Sequence, residues 1–113
     1  MTTDNETIQH TLHGMRELLA EPSRWTQGAF ARDKEGSDQA VAHPEATCFC
    51  LVGAARIVTH LDDDVTNTVV AHLAAITRQR GCSCVALYND ASTHAEVLDL
   101  LDTAIAKLEG DAA

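Results

Sequence analysis

Residues 48–61 read CFCLVGAARIVTHL, an almost unbroken apolar run in which Gly53-Ala54-Ala55 makes a patch of small side chains. Such a run, polar on no continuous face, predicts a central buried helix that starts near Thr47 and lets a neighbouring helix approach closely. His43-Pro44 just before it predicts a connection, because the residue preceding a proline is pushed out of the helical region. On the other side, Asp62-Asp63-Asp64 supplies an N-cap and negative charge for a following helix. Its apolar positions Val65, Val69, His72, Leu73 and Ile76 recur at helical spacing, and Gly81 ends it. Val85–Tyr88 reads as a short extended segment leading into an Asn89-Asp90 turn. Thr93-His94-Ala95-Glu96 fits a capping box, opening a last helix through Val97, Leu98, Leu101, Ile105 and Leu108 to Gly110.

Toward the N-terminus, Ile8, Leu12, Met15, Leu18 and Leu19 mark one face of an amphipathic helix over Asp4–Ala20, capped by Thr3 or Asp4 and stopped by Pro22. Asp33-Lys34-Glu35-Gly36 is a turn tetrapeptide, and the 25–41 segment is read as a short hairpin or ordered loop. The expected architecture is mainly α, α+β at most: one four-helix domain over 1–113 with a hairpin or irregular segment around residues 25–41. Composition agrees. Hydrophobic residues are 45% of the 113, but 18 are Ala and only 4% of the chain is aromatic. A core of small aliphatic side chains favours close-packed helices over a sandwich of β-branched strands.

Seventeen Asp and Glu stand against eight Lys and Arg, a formal charge of −9, with a pI near 4.8. An acidic surface repels phosphate backbones, so direct nucleic-acid binding is disfavoured. No apolar run is long enough to span a bilayer and no export signal opens the chain, so the expectation is a soluble cytoplasmic protein without membrane contact. Cys48, Cys50, Cys82 and Cys84 are then expected as free thiols. Glu96, Asp99, Asp102 and Glu109 recur near helical spacing on the last helix and read as a solvated face, with a basic partner or DNA mimicry as the competing reading.

Three clusters stand out together: Trp25-Thr26-Gln27-Gly28 with Arg32-Asp33 and Gly36, Cys50-Leu51-Val52-Gly53-Ala54, and Asn89-Asp90 ahead of Thr93–Leu98. Over residues 18–107 the chain resembles a family of small bacterial and phage proteins of unknown function in which W-x-Q-G, C-x-x-G-A and N-D segments recur. The resemblance implies a common fold and no particular activity. Cys48, Cys82 and Cys84 lie outside its pattern.

These clusters supply the candidate site residues. Trp25, Gln27, Gly28, Cys50, Asn89 and Asp90 are the candidate ligand-binding set: an indole walls a pocket and amides hydrogen-bond a ligand. Their competing roles are core filling for Trp25 and turn capping for Asn89-Asp90. The leading expectation is a binding or accessory protein that recognises a protein or small ligand through this region, without a cofactor. The alternative is a cysteine-dependent hydrolase or transferase, with Cys50 as nucleophile in the first turn of a helix that lowers its pKa, and His94 and Asp90 as partners. Against it, a free Cys among Phe49, Leu51 and Val52 is a small buried hydrophobe. A second alternative is a zinc module on the two C-x-C pairs, with His60 or His72 as weaker ligand candidates. Residues two apart on a helix point about 200° apart, so Cys48 and Cys50 share a metal only if the helix begins after them. No metal site is assigned. Finally, three other helices are few to cover an apolar 48–61 helix, which leads to the expectation of a homodimer.

Overall fold

The computed structural model describes residues 4–112. Helix α1 (Asn5–Leu18) is capped by the Asp4 carboxylate, which accepts from the Thr7 amide at 2.8 Å; Thr3, the other candidate cap, lies outside the described residues. Ile8, Leu12, Met15 and Leu19 are fully buried, as the helical spacing requires. Pro22 opens a single 3-10 turn to Arg24. A two-residue strand β1 (Ala31–Arg32) then pairs antiparallel with β2 (Cys48–Phe49). Helices α2 (Leu51–Val58), α3 (Asp63–Gln79), α4 (Val85–Ala91) and α5 (His94–Ala112) complete the chain.

The mainly helical class is as expected, with five α-helices among the described residues where four were expected. Val85–Tyr88 is the first turn of α4 and not an extended segment. Val85, Tyr88 and Asn89, spaced i, i+3, i+4, form its buried face, so tertiary burial overrides the strand propensity of a Val and a Tyr. The central helix is shorter than 48–61. Cys48 and Phe49 are drawn into the β ladder, Cys50 is the N-cap of α2, and the chain leaves the helix after Val58. The turn at Asp33–Gly36 forms, with Gly36 at φ 85° and the Asp33 carboxylate accepting from the amides of Glu35 and Ser37 and from the Gln39 side chain. Those bonds to the charged form hold the Asp33 carboxyl below its ordinary value. The expected hairpin is reduced to one Arg32–Asp38 bridge, and β1's ladder partner is β2.

α1 lies against α5, α2 and α3, while α4 sits across α2 and α3. Their apolar faces meet in one core cluster that includes Leu51, Leu73, Leu100 and Leu101. The expected capping box is made: the Glu96 amide donates to Thr93 Oγ1 and the Thr93 amide to Glu96 Oε1. α5 runs through Gly110 to Ala112. On its acidic face Asp99 pairs with Arg80 and Asp102 with Arg16, so the face is partly neutralised within the chain. α2 packs against α1, α3, α4 and β2, with Leu51, Gly53, Ala54 and Ala55 buried and Val52, Arg56, Ile57 and Val58 half-buried. No helix among the described residues is long and apolar enough to cross a membrane.

Candidate functional site

The three sequence clusters converge, and they do so mainly by satisfying one another. Asn89, fully buried in the last turn of α4, accepts at Oδ1 from Trp25 Nε1 (2.8 Å) and from the Leu51 amide (3.1 Å). Its Nδ2 donates to the Thr26 carbonyl (3.0 Å) and to Asp90 Oδ1 (3.2 Å). Both donors to Oδ1 are donor-only groups, which fixes the orientation of the amide, and its hydrogen-bonding capacity is used in full. Gln27 Nε2 reaches the carbonyls of Asn89, Asp90 and Ser92 at 2.9–3.1 Å, closing the C-terminal end of α4 with two shared protons. Asp90 Oδ1 accepts from the Gly28 amide at 2.9 Å, where φ of 78° suits a residue without a side chain. Trp25, Gln27 and Asn89 thus form a clasp between the 25–28 loop, α4 and the start of α2.

A glycine closes the other side of the clasp. An added Cβ on Gly53 would lie 2.0 Å from the Phe30 carbonyl oxygen, and the same carbonyl accepts from the Cys50 amide at 3.2 Å. The first turn of α2 therefore rests directly on the backbone of Phe30.

Beside the clasp opens a half-open cavity of ≈ 390 Å³, lined by Gly28, Ala29, Phe30, Cys50, Ala86 and Asp90 among others. Of the candidate ligand-binding set, Gly28, Cys50 and Asp90 face it, whereas Trp25, Gln27 and Asn89 stand behind it and hold its wall. Phe30 and Ala86 were not singled out from the sequence; the detectable signal at Phe30 is a large apolar side chain in a loop, and it is 51% exposed.

Cys50 caps α2 through its sulfur, which accepts from the Gly53 amide at 3.3 Å. The sequence pattern predicts this thiol inside the first helical turn with a lowered pKa, and the structure differs on both points. It is the cap, and burial pushes its pKa up, with the nearby Asp90 charge acting in the same direction against the helix-end amides. His94 Nε2 donates to the Leu19 carbonyl at 2.7 Å, and its ring lies 5.8 Å from that of Trp25. Among the described residues no hydrogen bond joins His94 to Cys50 or Asp90. We expect iodoacetamide at pH 7 to label the exposed Cys84 well before the buried Cys50. Mass mapping of the alkylated peptides gives the order, and Cys50 labelled first would restore the nucleophile.

Cys84 repeats the capping role at α4, accepting from the Leu87 amide at 3.4 Å. The helix does begin after Cys48 and Cys50, yet no group of three or more His, Cys, Asp or Glu among the described residues is placed to hold a metal ion. His60 and His72 belong to no such group.

A family profile matches residues 3–107 of the chain. The chain belongs to DUF6197, a family of unknown function. Neither the curated proteins nor the solved structures give a match to this DUF6197 chain.

Proposed function

We propose that the chain is a non-catalytic binding protein of the cytoplasm, and that its site is the cavity between Gly28–Phe30, Cys50 and Ala86–Asp90. The observation that carries the proposal is a preformed cavity of ≈ 390 Å³ whose wall is fixed by the clasp and whose thiol is held in its neutral form. A cavity of this size suits a small molecule or one presented side chain. Phe30 and Ala86 offer apolar contact, and no ion pair among the described residues uses the Asp90 carboxylate. A ligand with a compact apolar body and an amine head complements these groups. The net charge of −9 attracts such a cation and opposes nucleic acid.

Thermal shift with hexylamine, benzylamine and short lysine peptides tests the reading against Ala86→Trp, a substitution at an exposed position that fills the cavity. Stabilisation of the wild type and its loss in A86W are expected. Equal shifts in both proteins, or none at millimolar ligand, would sink the proposal. Light scattering adds a readout on assembly: a dimer that Phe30→Ser dissolves would identify the occupant as a second copy of this chain.

A further inference from the structure

A second cavity, of ≈ 340 Å³, lies on the far side of Phe30 and shares only Phe30 and Gln39 with the first. Its other walls are the 40–42 segment, Arg56 and Leu61. Arg56 stands in α2 as the one charged residue between Glu45 and Asp62. Its Nε is buried without a hydrogen-bond partner, the only such side-chain atom among the described residues. The bonds that Arg56 makes outside the helix ladder are accepted by its carbonyl, from Thr59 Oγ1 and the Leu61 amide. In a chain with an excess of carboxylates, Arg16, Arg32 and Arg80 each hold one, and Arg56 pairs with none among the described residues. Arg56 is half-buried and keeps its charge, so its buried Nε–H is a donor without an acceptor and a place for an anion's oxygen.

The mouth of this cavity is apolar. Phe30 is 51% and Leu61 42% exposed, two of three large hydrophobic side chains so exposed among the described residues. Leu61 follows His60 in a pair of left-handed residues, at φ 65° and 55°. Gly or Asn is the residue that such a position favours. The backbone there returns over the last turn of α2, with the Leu61 amide on the Arg56 carbonyl at 2.8 Å, and so sets a large apolar side chain beside the unpaired cation.

We propose that this second cavity binds a monocarboxylate with an apolar body, its oxygens on the free donors of Arg56 and its body between Phe30 and Leu61. A carboxylate matches the planar donor fork of one arginine. Phosphate, with more charge, is better matched by several cations, and Arg56 is the one cationic side chain lining this cavity.

Titrating isotope-labelled protein with hexanoate and benzoate, against hexanamide and inorganic phosphate, tests the site by nuclear magnetic resonance. Both acids are expected to shift the Arg56 Nε–H and the Phe30 and Leu61 amides, saturating below about 10 mM, while hexanamide and phosphate bind at least about tenfold more weakly. Arg56→Gln is expected to lose about tenfold or more in hexanoate affinity while keeping its fold, since the Arg56 side chain makes no hydrogen bond or ion pair among the described residues; Arg56→Lys, which keeps the charge without the fork, gives the same answer if R56Q fails to fold. Leu61→Asn is expected to raise the melting temperature of the free protein and to weaken hexanoate binding. Hexanamide binding as tightly as hexanoate, or R56Q and R56K binding it as the wild type does, would overturn the proposal. A leucine-ending peptide, as free acid and as amide, tells whether a chain end or a small free acid is the better carrier of the same carboxylate.

Discussion

Replacing Asn89 with alanine is expected to lower the stability of the chain by about 4 kcal/mol, the largest effect of any single polar substitution in this fold. The side chain is fully buried and its four hydrogen bonds tie Trp25, Thr26, Leu51 and Asp90 together. Removing it leaves the indole N–H, the first amide of α2 and the Thr26 carbonyl without their protein partners. Each group so stranded costs about 1–3 kcal/mol, and partial relaxation brings the sum below three full penalties. Trp25 is the sole tryptophan, so its emission in a urea series reads the clasp directly. A shift in the thermal midpoint of about 15 °C should accompany the loss. A midpoint close to that of the wild type would show that the clasp does not hold α4 in place.

The second large effect is expected at Gly53, and its sign is opposite to that of the same substitution elsewhere. Gly53→Ala puts a methyl 2.0 Å from the Phe30 carbonyl oxygen and 3.0 Å from its carbon. Both are backbone atoms, so no rotamer change relieves the contact; α2 must move off the Phe30 segment and lengthen the Cys50 amide bond to Phe30. A cost of about 3 kcal/mol is expected. Gly110→Ala meets nothing within 4 Å in α5 and should gain up to about 0.5 kcal/mol from helix propensity near a helix end. Chemical denaturation of the two variants side by side separates contact from propensity, and G53A as stable as the wild type would show that α2 does not rest on Phe30.

What the sequence disclosed follows the range of the forces involved. α1, α3 and α5 were legible because a periodic apolar face and an Asp or Thr cap are written within one segment. α4 was hidden: Val85, Tyr88 and Asn89 carry helical spacing, but only burial against α2 and α3 makes that spacing matter. The start of α2 was missed because its cap is a thiol, outside the usual set of capping side chains. For the site, Trp25, Gln27, Asn89 and Asp90 were recognisable as unusual residues, while their partnership runs across 62–65 positions of chain and leaves no local trace. Arg56 does leave one, as a lone charge inside an apolar run.

The clasp also orders events during synthesis. Its acceptors at Asn89, Asp90 and Ser92 leave the ribosome more than sixty residues after Trp25, so until α4 is made the loop that carries Trp25 is held only by its backbone pairing with Phe49. Closing so long a loop is entropically costly until α4 is in place to reward it. The indole and the first amide of α2 therefore stay bonded to water until Asn89 arrives, and the nascent chain is open to chaperones and proteases until its last third has emerged.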